Sequence, residues 1–153
     1  MTLLEKITDE WKAAMKSGDK ERRETLSILR AGVKDAEINA RGSENNIDPQ
    51  SDEAVRRVIE REAKKRRDAM EEYQKANRPD RVEAEAAELK ILQEFLPAQL
   101  EETEIETLAA TAIAQTGASG PKDMGAVMSA LKSQTQGRAD GKQVSTIVRK
   151  LLS

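Results

Sequence analysis

Apolar residues recur every three or four positions along most of this chain, between glycines, prolines and capping residues, a pattern that predicts seven helices and no strands. Leu4, Ile7, Trp11 and Met15 form the inward stripe of a first helix, opened by the capping pair Thr2 and Glu5 and stopped at Gly18. Asp19 restarts the chain, and Leu26, Leu29, Val33 and Ala36 carry a second helix toward Gly42. Residues 42–50, Gly-Ser-Glu-Asn-Asn-Ile-Asp-Pro-Gln, are the longest turn-rich connection and are expected to be the most mobile loop. Ser51, Asp52 and Glu53 open a long third helix with sparse apolar positions, Val55, Val58, Ile59, Ala69, Met70 and Tyr73, and Asn77-Arg-Pro-Asp80 ends it. The fourth helix holds Val82, Ala86, Leu89, Leu92 and Leu96 until Pro97, where proline removes an amide and clashes with the turn before it.

Pro97 is the expected domain boundary, with a four-helix N-terminal domain over 1–96 and a small three-helix C-terminal tail domain over 97–153. The fifth helix, Glu102 to Thr116, turns Ile105, Leu108, Ala112 and Ile113 inward and stops at Gly117. The sixth begins at Pro121, a residue suited to the first helical position, and carries Met124, Val127, Met128 and Leu131. After Gly137-Arg138-Ala139 the chain restarts at Asp140, a capping residue with Gln143 placed to answer it, and Val144, Ile147, Val148 and Leu151 form the last stripe.

Composition sharpens the fold class to all-α. The hydrophobic fraction is 37% against a charged fraction of 35%, so any core is thin, and Trp11, Tyr73 and Phe95 are the only aromatic residues. An interior of Leu, Ile, Val, Ala and Met favours helices over an aromatic-rich sandwich or barrel. Lys and Arg total 26 against 28 Asp and Glu, a net charge of −2, so an RNA-binding surface has to be a local patch rather than a global field. The chain has no cysteine and no histidine. Disulfide scaffolds, thiolate chemistry, Ser-His-Asp systems, mixed Cys and His zinc sites and Glu-x-x-His di-metal bundles each lose an obligatory member. No Gly-x-x-x-x-Gly-Lys phosphate loop is present either. No catalytic residue, metal or cofactor is therefore expected, and with no apolar run of membrane length the expected address is cytoplasmic.

Several separate segments point to one family. Asp123-Met-Gly-Ala-Val-Met128 followed by Gly137-Arg-Ala-Asp-Gly-Lys142 resembles the signature of the GatB/YqeY family, and Ala63-Lys-Lys-Arg-Arg-Asp68, Glu94-Phe-Leu-Pro-Ala-Gln-Leu100 and Gln115-Thr-Gly-Ala-Ser119 are similar to its stand-alone YqeY-like members. The resemblance covers essentially the whole chain. It implies a helical amino-terminal domain and a three-helix tail like the one that ends the B subunit of the tRNA-dependent amidotransferase, where the tail contacts tRNA. It implies no catalysis, because the glutaminase and phosphorylating sites of that enzyme lie in portions this chain does not match.

Three features compete for a functional role. Arg56 to Arg67 holds seven basic and two acidic residues, and Arg57, Arg61 and Lys65 stand four apart on one face where like charges repel. Either an anionic partner relieves that repulsion or Glu53, Glu62 and Asp68 neutralise the row internally, the latter being favoured. In the tail, the stretch from Thr107 onward has six basic and two acidic residues, a net +4. Lys142, Thr146 and Arg149 fall nearly opposite the last apolar stripe, and with Lys132, Arg138 and the amides near Gly141 they compose a ridge that could grip phosphates. The plain alternative is an ordinary helix with its polar side outward. Gly125, inside a helix at a cost of about 1 kcal/mol relative to alanine, implies a close approach, either by the fifth or seventh helix, which is favoured, or by a sugar-phosphate backbone.

The leading reading is a non-catalytic RNA-binding protein that takes tRNA or another structured RNA by shape and backbone, since the tail lacks aromatic residues for base stacking. A translation-related protein is the alternative partner, docked on the charged third and fourth helices. An accessory role to a glutamine-dependent carbon–nitrogen ligase follows from family naming alone and has the least physical support.

Overall fold

A computed structural model describes residues 1–42 and 47–153. Part of the loop expected to be most mobile, residues 43–46, lies outside the described residues. Seven α-helices are present among the described residues and no strand: α1 Leu3–Ser17, α2 Lys20–Ala40, α3 Asp52–Lys75, α4 Pro79–Gln93, α5 Glu102–Thr116, α6 Met124–Thr135 and α7 Gly141–Leu152. The chain divides into two compact units, Met1–Leu96 and Pro97–Ser153, each described by itself.

The first unit follows its caps. The Thr2 hydroxyl accepts from the Glu5 amide at 3.1 Å while Glu5 accepts from the Thr2 amide at 2.8 Å, and α1 stops where Gly18 takes φ 77°. Asp19 and Ser51 cap α2 and α3 through their side chains, and the Leu3 amide donates to Asp52 at 2.9 Å, joining the starts of α1 and α3. The core is Ile7, Leu26, Leu29, Val33, Val55, Val58, Ile59, Ala63, Leu92 and Phe95. Each large member contributes roughly 1.5–3 kcal/mol by leaving water. Gly32 marks the close approach of α2 to α3: a Cβ there would stand 3.2 Å from the Val58 side chain and 3.5 Å from the Glu62 carboxylate.

Two stripes shift from expectation. Met15 is exposed and Ala14 buried, because Ala14, seven residues after Ile7, returns to within about 20° of it whereas Met15 stands about 80° away. In α4 the helix ends at Gln93, before Leu96 and Pro97. Residues 94–96 form tighter turns, with the Phe95 amide on the Leu92 carbonyl at 3.1 Å, which sends Phe95 into the core. Leu96 precedes proline, a position where helical backbone is disfavoured.

The second unit has a smaller core without aromatic residues: Ile105, Ala109, Ala112, Val127, Leu131, Val144, Ile147, Val148 and Leu152. Each of α5, α6 and α7 packs on the other two. A short 3-10 turn, Pro121–Asp123, precedes α6, which therefore starts later than Pro121. On α7 Leu152 is buried and Leu151, expected inward, is exposed, so the last turn is covered from the Leu152 side only. The entry segment is clasped by the turn between α6 and α7. The Leu100 amide donates to the Arg138 carbonyl at 2.7 Å, Gln99 donates to the Gly137 carbonyl at 3.0 Å, and the Arg138 Nε donates to the Ala98 carbonyl at 3.1 Å.

Candidate nucleic-acid interface

The amphipathic repeat of α7 decides where its cations go. With Val144, Ile147, Val148 and Leu152 buried, Lys142, Thr146, Arg149 and Lys150 are exposed. The Thr146 hydroxyl donates to the Lys142 carbonyl at 2.8 Å, so it is turned along its own helix. Lys132 is exposed in the last turn of α6. Lys132, Arg149 and Lys150 have no ion pair among the described residues. Lys150, absent from the expected ridge, flanks it; it was counted in the net charge of the tail but lies off the line through Lys142 and Arg149.

Asp123, Asp140 and Glu104 of the same unit accept from backbone amides. Asp140 accepts from the Lys142 amide at 3.3 Å and caps α7, while Asp123 accepts from the Ser119 amide at 2.9 Å. Glu101 and Glu104 cap α5 reciprocally. This placement has a cost for one expectation: the α7 amino terminus near Gly141, nominated as a phosphate seat, already holds the Asp140 carboxylate.

Arg138 is half-buried and donates through Nε to the Ala98 carbonyl, so part of its guanidinium holds the tail together rather than facing a ligand. Gly125 corrects the favoured expectation of helix packing. It is exposed, and a Cβ at Gly125 or at Gly141 would meet nothing within 4 Å. The reason is angular: α6 turns Val127, Leu131 and Thr135 to the core, and Gly125, about 200° from Val127, lies on the outer side.

On α3 the row separates into its members. Arg57 pairs with Glu53 at 2.7 Å, Lys65 with Glu62 at 3.0 Å and Lys64 with Asp68 at 3.2 Å, while Arg61 has no ion pair among the described residues. Sequence reasoning missed the arrangement beside it. Arg66, on the same helix, lies 2.7 Å from Glu88 and 3.6 Å from Glu85 of α4, and 3.7 Å from the buried Glu62. Its Nε and the Glu85 Oε2 are buried without an aligned hydrogen bond, so these are charge contacts. Burial pushes the Glu85 carboxyl above its ordinary value, Glu88 adds to the rise, and Arg66 and Arg81 oppose it. A spacing of i, i+4 within one helix is visible in sequence; a pairing across two helices is not.

Fold and surface together define a class: a protein that is all-helical among the described residues and whose last three helices expose Lys132, Arg149 and Lys150 with no ion pair among those residues. The chain belongs to the YqeY family, the GatB/YqeY family of the resemblance, matching the family described as Yqey-like protein over residues 4–152. It is 29% identical over 154 residues to altered inheritance of mitochondria protein 41, mitochondrial, of Pyrenophora tritici-repentis, covering 98% of this chain and 81% of that one. It is also 31% identical over 84 residues to an uncharacterized protein of Schizosaccharomyces pombe, an alignment covering 55% of this chain and 63% of the yeast protein. Among the described residues no helix is long and apolar enough to cross a membrane, and no group of three or more acidic, His or Cys side chains is placed to hold a metal ion.

Proposed function

We propose that this protein is a non-catalytic RNA-binding protein acting in the cytoplasm, which holds tRNA or another structured RNA by its sugar-phosphate backbone. The residues 97–153 act as a tail domain of their own in this reading. Lys132, Lys142 and Arg149 make the main phosphate contacts, with the outer part of Arg138 beside them and the open surface at Gly125 and Gly141 leaving room for a backbone to approach. One observation carries the reading: Lys132 and Arg149 are exposed and have no ion pair among the described residues, on a unit whose Asp123 and Asp140 are committed to amides. Cations kept free of carboxylates retain their attraction for phosphate. The adaptor reading draws less support, because Arg66, Glu62, Glu85 and Glu88 of its charged helices are engaged with one another.

The test is a fluorescence titration of the full chain with total tRNA across a range of salt. Four neutralised phosphates give a slope of log affinity against log salt of about −3 to −4, at roughly 0.7–0.9 per phosphate. A flat response overturns the reading.

A further inference from the structure

Within Met1–Leu96, the last turns of α2 and the first half of α3 border a cleft with two kinds of wall. Ala36, Ala40, Ile47, Pro49 and Ala54 supply an apolar side, and Asn39, Arg57 and Arg61 supply a polar one. None of its described lining residues is a carboxylate. Arg57 and Arg61 are one helical turn apart, close enough for like charges to repel. Glu53 engages Arg57 in an exposed pair at 2.7 Å, the kind of pair weak enough to be surrendered to a ligand. Arg61 has neither an ion pair nor a hydrogen bond among the described residues. Beside it Ile47 leaves 36% of its surface exposed, a part-exposed large apolar side chain next to a cation with no partner among the described residues.

The geometry points to a binding site for a small amphipathic anion, a carboxylate or phosphate monoester carrying a short aliphatic body. The headgroup lies on Arg57 and Arg61, whose planar guanidinium forks match either kind of oxygen pair, with the Asn39 amide as a further donor. The body lies on the Ala36, Ala40, Ile47 and Ala54 wall. A nucleic-acid strand suits this cleft poorly, because the wall offers aliphatic carbon and no aromatic face for bases.

An NMR titration of the full chain at constant ionic strength tests this with hexanoate, hexyl phosphate, acetate and hexan-1-ol. Hexanoate or hexyl phosphate shifts the amides of Asn39, Ala40, Ala54 and Arg61 in a saturable way, and the stronger of the two identifies the preferred headgroup. Acetate, lacking the body, and hexan-1-ol, lacking the charge, bind at least about tenfold more weakly. Arg61→Gln weakens the better ligand by about tenfold, and Arg57→Gln repeats the test should the first variant misfold. Ala54→Leu, which fills the wall, also weakens the ligand and leaves acetate unaffected. The proposal is overturned if those amides do not move, if acetate matches hexanoate, if both arginine variants bind like the parent, or if tRNA moves the same amides and displaces hexanoate.

Discussion

In Met1–Leu96 cations are commonly met by carboxylates: Arg22 by Glu10 and Glu94, Arg57 by Glu53, Lys64 by Asp68, and Arg66 by Glu62, Glu85 and Glu88. In Pro97–Ser153 Lys132, Arg149 and Lys150 are exposed with no ion pair among the described residues, while Asp123 and Asp140 accept from backbone amides. A whole-chain charge of −2 conceals this difference. What separates the two units is the use made of their acids. In the first unit Glu10, Glu85 and Glu88 reach cations of a neighbouring helix, whereas Glu104, Asp123 and Asp140 of the second accept from backbone amides.

The most direct way to break the contrast is to reverse charges in both places. Lys142→Glu with Arg149→Glu is expected to weaken tRNA binding by about two orders of magnitude, taking each lost charged contact at about 1.5 kcal/mol or more. Thermal stability should change by less than about 0.5 kcal/mol, as for other exposed positions. Arg57→Glu with Arg61→Glu should matter less in the same titration; an equal or larger loss there makes the α3 row the RNA site.

Arg66→Met sharpens the contrast from the opposite side. It leaves the buried Glu62 with Lys65 alone and takes from Glu85 and Glu88 the arginine between them, and is expected to cost about 2–4 kcal/mol in urea denaturation. Arg149→Met, measured identically, should cost less than about 0.5 kcal/mol. Similar losses for the two would mean that pairing does not distinguish the units.

Glycines give a smaller effect of the same kind. Gly125→Ala meets nothing within 4 Å and is expected to stabilise by about 0.5–1 kcal/mol through helix propensity and a restricted unfolded chain. Gly32→Ala, 3.2 Å from Val58, should gain less, since its neighbours must give way. Thermal melts of the two variants decide this.

The smallest effect is in pH. Glu85 is held above its ordinary value of 4.5 by burial, so the folded chain binds its proton more readily than the unfolded chain does. Its contribution is therefore most favourable below the unfolded value and is lost as pH rises through the folded one. Glu85→Gln should gain stability relative to the parent as pH rises from the ordinary carboxylate range through the folded value, by less than roughly 0.5 kcal/mol. A gap that narrows with rising pH in paired melts contradicts this.

Much of the fold was legible because it is written locally. The Thr2 and Glu5 pair, the stops at Gly18 and Gly117 and the stripe from Leu26 to Val33 each depend on neighbours within a turn or two. What escaped depends on distant residues. The burial of Glu62 needs α2 with its Gly32 beside it, the turning in of Phe95 needs a core to receive it, and the openness of Gly125 depends on which face of α6 its partners α5 and α7 cover. The candidate ridge was legible in its α7 part, where helical angle alone separates Lys142 and Arg149 from the buried stripe. The engagement of Arg138 was not, since its partner Ala98 lies 40 residues earlier.

That last contact bears on how the chain is made. Segment 97–100 emerges from a ribosome well before Gly137 and Arg138, whose groups hold it. Until they follow, the segment before the Glu101 and Glu104 cap is unheld and α5 lacks the cover of α7. Helices α5 to α7 are thus expected to close together once that turn is made, rather than accreting in order.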